Sequence, residues 1–513
     1  MPHSSRSGLP VGLERLGKRA IGFLAALALV ILPTAAHAAS GAAHALPSVW
    51  AIIPFIVLLG MIATGPLFYH HFWEHHYPKV ALALGAVTIL YYVIGMGDIG
   101  PIYHELAEYI SFIALLGSLF VASGAILIEI DKKGTPLVNV VILLFGSVLA
   151  NFIGTTGASM LLIRPYMRVN RGRLKAYHVI FFIFLVSNIG GGLTPIGDPP
   201  LFMGFLRGVP FFWVIGHVFH IWLLTIGMVL LVFFSIDSYF ARKITDQAEI
   251  AYSGAIRLIG GKGFIWLAII IGAVFLDPNV IAGFPSLQEI WHVPFGIREL
   301  IMFAVMFLAY KTANKDALKG NDFNFEPIRE VGFLFIGIFM TMVPALQLIA
   351  YEAQHYASVL TPGLFYFGTG GLSAVLDNTP TYINFFVASM GKYGLEAGNV
   401  SHVRLFTACP ETILYLEAIS VASVFFGALT YIGNGPNFMV KSISDQNGLP
   451  MPSFFGYLVK WALPILLPIF IIVWALFYRN PVDHGDALKV EPCFQIEQIM
   501  QSAGMTSGMP AGH

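Results

Sequence analysis

The chain has 513 residues, of which 57% are hydrophobic and only 11% charged. A soluble protein carries roughly a quarter charged residues, so composition excludes an ordinary water-soluble enzyme or binding module and points to an integral membrane protein. Twenty-eight basic residues balance 28 acidic ones, so net charge gives no reason to expect a nucleic-acid partner.

The apolar runs are near-continuous and lack the alternation of barrel strands, which predicts an all-α polytopic membrane protein. Cys409 and Cys493 are the only cysteines and supply neither a disulfide framework nor metal-ligand spacing. At the N-terminus, Arg15, Lys18 and Arg19 precede a short apolar run over 21–32, and Ala36-His37-Ala38 follows. This pattern predicts a signal peptide over 1–38, cleaved after Ala38, which leaves the mature N-terminus outside; the alternative is an uncleaved first helix.

Spans are expected over 49–69, 80–96 and 106–130. The connection 70–79 is assigned to the cytoplasm, with Trp73 and Tyr77 as interface anchors. The acidic connection 97–105, with Asp98 and Glu105, is assigned to the outside. Lys132 and Lys133 then fall inside, as the positive-inside rule requires. Residues 135–167 are apolar but broken at Asn151-Phe-Ile-Gly-Thr-Thr-Gly-Ala158, and Arg168, Arg171, Arg173 and Lys175 follow. Both ends therefore face the cytoplasm. A straight helix of that length would run roughly 50 Å, whereas a full span and return needs about 40 residues. A re-entrant hairpin with its tip at 151–157 fits both limits.

A broken span over 176–208 then crosses outward and 211–236 returns. The loop 237–262 lies inside, 264–276 goes out, 296–310 comes back and 331–350 goes out. Residues 362–390 form a second hairpin candidate, broken at Leu376-Asp377-Asn378-Thr379-Pro380-Thr381 and entering from the opposite face. A second broken span over 406–441 and a last span over 454–478 complete about ten spans and two hairpins. The transmembrane domain covers 39–479, with inverted repeats at about 80–236 and 296–478, and a disordered tail is expected over 480–513.

The two broken spans share a motif. Gly427-Ala-Leu-Thr-Tyr-Ile-Gly-Asn-Gly-Pro-Asn-Phe-Met439 aligns without gaps on residues 191–203, and Asn434 faces Asp198. Matched interruptions in two halves of a membrane chain are the best sequence pointer to a transporter binding site. Such breaks survive at membrane depth only when buried in protein or lining a wet cavity. Asn188-Ile-Gly-Gly-Gly-Leu-Thr-Pro-Ile-Gly-Asp-Pro199 resembles the signature of NhaD-type sodium/proton antiporters. More widely it resembles the ion transporter superfamily, which includes citrate-transporter (CitMHS-like) families. Asp377-Asn-Thr-Pro-Thr381 is similar to that superfamily's hairpin-tip motif; the first tip departs from it, reading Asn151-Phe-Ile-Gly-Thr-Thr-Gly157. The resemblance implies two inverted repeats, two re-entrant hairpins, two unwound helices around a central site, and a homodimer in a bacterial inner membrane.

The breaks supply the oxygen ligands that hard cations prefer. Asn151, Thr155, Thr156 and Gly157 belong to the first tip, and Asp377, Asn378, Thr379 and Thr381 to the second. Asn188, Thr194, Gly197, Asp198, Thr430, Asn434 and Asn437 come from the unwound spans, and Glu417 from the helix leading into the second. Asn151, Asp377 and Asn378 are the candidate Na⁺ ligands. No Lys or Arg lies in any break, and a carboxylate-binding site would gain from Arg. The expectation is therefore a cation:proton antiporter with Na⁺ and H⁺ as its ions and no other cofactor. The alternative is a citrate or dicarboxylate carrier coupled to Na⁺ or H⁺. An intramembrane metalloprotease is disfavoured, because no His-Glu-x-x-His occurs.

Asp198 and Asp377 each have a structural alternative as helix caps. Glu411 is read as facing the outer headgroups. His217 and His220 are read as helix-face histidines, and the pair His71/His75 as part of a wetted loop, although its spacing suits a metal on a helix.

Overall fold

The apolar runs become helices in the computed structural model, which describes residues 46–243, 253–278, 280–281, 283–291 and 293–479. The expected signal peptide with its cleavage point and the expected disordered tail lie outside these residues. Among the described residues eight helices are long and apolar enough to cross a membrane.

In chain order the helices are α1 (Val49–Phe68), α2 (His70–Met96), α3 (Gly100–Gly124), α4 (Pro136–Val169), α5 (Ala176–Leu185), α6 (Pro199–Leu206), α7 (Trp213–Arg242) and α8 (Lys262–Val274). The second half holds α9 (Ile297–Thr312), α10 (Glu326–His355), α11 (Pro362–Ser373), α12 (Asn378–Lys392), α13 (Val400–Ala408), α14 (Pro410–Phe425), α15 (Gly435–Gln446) and α16 (Phe454–Phe477). The middle of the molecule is built from α3, α10 and α14, which are buried over most of their apolar length. Much of the surface of α1, α2 and α16 is left apolar and exposed, as lipid contact requires.

Both hairpin candidates fold back on themselves. α4 is interrupted at Gly154, whose φ of 78° lies in the left-handed region that glycine alone adopts freely. Its two ends then lie side by side. Asn139 and Asn170 exchange amide hydrogen bonds at 2.9 and 2.8 Å, and the Gly134 amide donates to the Val169 carbonyl. α11 and α12 reverse at 374–377, and Lys392 Nζ reaches back to the Leu360 carbonyl at 2.7 Å.

Four expectations need correction. Residues 70–79 are helix, not loop, and Trp73 and Tyr77 are buried; Trp73 lies where any side chain on Gly65 of α1 would stand. Glu105 is inside α3, not in an outer loop, because the helix already starts at Gly100. Leu127–Ile130 is a strand, β1, paired antiparallel with β2 (Ile256–Ile259). Alternating apolar and charged residues suit a half-exposed ribbon, and Glu129 stands opposite Arg257. At the end of that ribbon, hydrogen bonds from the Ser253 amide and hydroxyl hold the Asp131 carboxyl below its usual range. Finally, Asp237 is not in a loop but buried near the end of α7.

Asp237 explains how the first hairpin is anchored. Its carboxylate accepts from Arg173, from Tyr177 Oη at 2.6 Å and from Asn139 Nδ2 at 3.0 Å, with His178 Nε2 at 3.2 Å. Arg173, read from sequence only as a topology signal, is thus half of a buried ion pair joining the hairpin base to α5 and α7. Removing one partner of such a pair leaves an uncompensated charge and costs about 3–5 kcal/mol. Arg173→Ala should therefore lower the thermal unfolding midpoint of the detergent-solubilised protein clearly, and Arg173→Met with Asp237→Leu should recover most of the loss. An unchanged midpoint in the single variant would remove this anchor.

Candidate functional site

The site grows from an interruption. After α5 the chain makes a single 3-10 turn at Ile189–Gly191, continues without helix, and re-enters helix at Pro199. Asp198 occupies the N-cap position of α6, yet its side chain makes no capping hydrogen bond. A capping carboxylate accepts from the second or third helical N–H, and the second residue here is Pro200, which has none. The carboxylate turns into the protein instead and is fully buried.

Three donors meet it there. Oδ1 accepts from Thr155 Oγ1 at 2.7 Å and from Asn434 Nδ2 at 3.1 Å, and Oδ2 accepts from Asn378 Nδ2 at 3.0 Å. Thr155 is in the first hairpin tip, Asn378 in the second, and Asn434 in the second unwound segment. All four interruptions read from the sequence therefore converge on one carboxylate. No Lys, Arg or His is among its hydrogen-bond partners.

The two unwound segments are built alike. Asn434 also holds an N-cap position without a side-chain cap, with Pro436 second in α15. The Gly197 amide donates to Thr194 Oγ1 at 3.0 Å, and the Gly433 amide to Thr430 Oγ1 at 3.1 Å. Each threonine donates in turn to a carbonyl of the neighbouring hairpin, Thr194 to Asn151 at 2.6 Å and Thr430 to Ala374 at 2.5 Å. A Cβ on Gly197 would lie 2.2 Å from the Gly191 carbonyl oxygen, and one on Gly433 2.6 Å from that of Gly427. Backbone meets backbone at both points, so only glycine fits. An aromatic donor from the next helix satisfies a freed carbonyl in each: Trp222 Nε1 to Gly190 at 3.1 Å, and Tyr457 Oη to Ala428 at 2.7 Å.

Asparagines lace the segments together. Asn151 Nδ2 donates to the Gly190 carbonyl at 2.7 Å, and its Oδ1 accepts from the Leu193 amide at 2.9 Å. Asn188 Nδ2 donates to the Ile183 carbonyl at 2.8 Å and to Asn437 Oδ1 at 2.7 Å, while Asn437 Nδ2 holds the Gly427 and Thr430 carbonyls. With both amide hydrogens used, Asn188 presents its oxygen to the interior, where it is buried without a partner. Asn378 Oδ1 accepts from Ser373 Oγ at 2.6 Å. The point where a Gly427 Cβ would stand is 2.5 Å from Asn378 Oδ1, 2.9 Å from Asn378 Nδ2 and 3.1 Å from Asn188 Oδ1. The missing side chain thus makes room for both amide groups, and of their oxygens that of Asn188 is the unpartnered one, a donor of the kind a hard cation prefers.

Other expected residues stand apart. Asp377 caps α12 by accepting from the Thr379 amide at 3.0 Å, so its capping reading holds where that of Asp198 does not. Thr381 Oγ1 returns to the Asp377 carbonyl at 3.0 Å, and Thr379 Oγ1 is buried without a partner. Thr156 makes no side-chain hydrogen bond to the group, and Gly157 faces Ser123 of α3. Glu417 is buried on α14 but no hydrogen bond joins it to Asp198. Glu411 is exposed. His217 stacks on Trp213 and His220 meets the edge of Phe477; His71 stacks on His75 on the exposed start of α2. Sequence reasoning missed Ser373, and also Ser187, whose carbonyl accepts from Asn434 Nδ2 at 3.1 Å. Ser373 was findable, lying one helical turn before the second tip as Ser147 does before Asn151.

Known proteins resemble this chain over nearly all of the described length. The model of the family described as "Putative citrate transport" matches residues 43–478. An uncharacterized transporter of Mycobacterium bovis and one of Mycobacterium tuberculosis are each 25% identical over 362 residues, covering 68% of this chain and 78% of theirs. A second uncharacterized transporter of Mycobacterium tuberculosis is 22% identical over 416 residues, covering 75% of this chain and 90% of its own. With one family model spanning most of its residues and its spanning helices folded around a buried polar centre, the chain belongs to this citrate-transport family of multi-pass membrane transporters.

Proposed function

We propose that this transporter exchanges a cation, Na⁺ first among them, for protons, and that Asp198 carries either ion in turn. The observation that carries the reading is a fully buried carboxylate with three neutral donors and no basic partner. An ionised carboxylate in such a place is strongly disfavoured unless a cation joins it. A proton or a metal cation meets that need, and the two exclude each other. Asn188 supports the cation with its unpartnered amide oxygen beside Gly427, and Asn151, Asn378 and Asp377 extend the set of candidate oxygens.

The halves at about 80–236 and 296–478 are taken as inverted repeats, since their interruptions share hydrogen-bond patterns. The protein would then work as a homodimer in a bacterial cytoplasmic membrane, with its mature N-terminus on the periplasmic side. Citrate or dicarboxylate transport coupled to Na⁺ or H⁺ is the second reading. The family description favours it, as do the N-terminal ends of α6 and α15, since half-helix N-termini attract anions.

Proteoliposomes separate the two. Exchange predicts Na⁺-dependent collapse of an imposed pH gradient; uptake of labelled citrate or succinate without such collapse would replace it with the carboxylate reading. Asp198→Asn should abolish exchange in a protein that still inserts and folds. Asp377→Asn keeps a good helix cap and removes only the charge, so its exchange rate should fall about tenfold if that charge serves transport. Full activity in both variants would remove these carboxylates from the mechanism.

A further inference from the structure

The ribbon of β1 and β2 has one apolar side and one charged side. Short connections, 125–126 and 260–261, join it to the end of α3 and the start of α8, two apolar helices. Partners across an antiparallel ladder share a face, and neighbours along a strand alternate. The register therefore puts Ile128, Ile130, Ile256 and Leu258 on one side, and Leu127, Glu129, Arg257 and Ile259 on the other. The second side is turned to the protein. Leu127 is buried in the space beside Gly320, and Glu129 accepts from Arg168 Nη1 at 3.0 Å at the base of the first hairpin. The first side is turned away, and Ile256 is 61% exposed and Leu258 54%. Four aliphatic side chains gathered on one face, two of them left open, mark a contact surface.

Two observations choose the membrane as its occupant. The first is continuity with the surface that meets lipid. Phe264 and Ile265 in the first turn of α8 and Leu137 in the first turn of α4 are exposed, so apolar surface runs from these helices up to both ends of the ribbon. The second is charge. Lys132, Lys133, Arg257 and Lys262 lie on the ribbon or at its ends and are exposed. None of the four has an ion-pair partner among the described residues, because Glu129 is taken by Arg168 and Asp131 by Arg171, each at 3.0 Å. Four unpaired cations at the end of a membrane helix attract anionic lipid headgroups. Their stems can follow an apolar surface while the charges reach the phosphates. A free phosphate would satisfy the cations and leave the aliphatic face in water.

We propose that this ribbon is an interfacial anchor that binds anionic phospholipid. Ile128, Ile130, Ile256 and Leu258 lie against the acyl boundary of one leaflet, and Lys132, Lys133, Arg257 and Lys262 hold the headgroup phosphates. The basic residues of the loops assign this leaflet to the cytoplasmic side. The anchor is independent of the Asp198 site and of the ion or carboxylate that the protein carries.

Fluorescence quenching on the full-length protein in liposomes tests this. With Cys409 and Cys493 replaced by Ala, Leu258→Cys and, separately, Ile256→Cys are labelled with bimane. Emission should fall strongly with phospholipid brominated on its acyl chains and little with aqueous iodide. In mixtures of equal composition, brominated phosphatidylglycerol should quench about twice as well as brominated phosphatidylcholine. Lys132→Gln, Lys133→Gln, Arg257→Gln and Lys262→Gln together should remove that difference. Quenching by iodide alone would leave the face in water, and shielding from both quenchers would show it covered by protein; either result overturns the anchor. Equal quenching by the two lipids in the unsubstituted ribbon, or a preference lost on adding inorganic phosphate at constant ionic strength, overturns the headgroup site.

Discussion

A carboxylate with no basic neighbour sits where four interrupted helices meet, and the rest of the molecule arranges itself to keep it there. Asp198 is held by hydroxyl and amide donors from three segments that are distant in sequence, each of which has lost its helical hydrogen bonding at that point. Water cannot supply those bonds at membrane depth, so every freed backbone group must find a partner in protein. Trp222, Tyr457, Asn151 and Asn437 provide the partners.

That constraint accounts for the glycines. Gly197 and Gly433 stand where two stretches of backbone come closer than any side chain would permit. It also accounts for the prolines. Pro200 and Pro436 remove one of the two amides that a cap could use, and neither the Asp198 nor the Asn434 side chain caps its own helix. The same residue types that make the segment look wrong for a membrane helix make it right for a polar centre. Among the aligned positions that differ between the two segments, Asn434 stands where Asp198 does, which avoids setting like charges face to face there.

Much of this was legible in the sequence because it depends on local chemistry. Both hairpins, both breaks and the pairing of Asp198 with Asn434 follow from glycine and proline patterns, apolar run length and the side assigned by charge. Other features were not legible. Nothing in the run 97–105 told that Glu105 would lie inside a helix facing Arg207, because its partner is about a hundred residues away and only the fold brings them together. Asp237 read as the start of a basic loop for the same reason. The strand over 127–130 was absorbed into a helix because its alternation covers only Ile128-Glu129-Ile130 and gains its meaning from the partner strand.

The sequence alone determined that the chain spans a membrane, where its helices break, and which polar residues the breaks contain, since burial in lipid leaves few ways to accommodate such residues. Tertiary structure alone decided which of them meet. Asp198 and Asp377 look equivalent as acidic residues before a helix, yet one caps its own helix and the other does not. Asp377 accepts from the second N–H of its helix, which Pro200 removes from Asp198's helix, and three remote segments deliver donors to the Asp198 carboxylate instead.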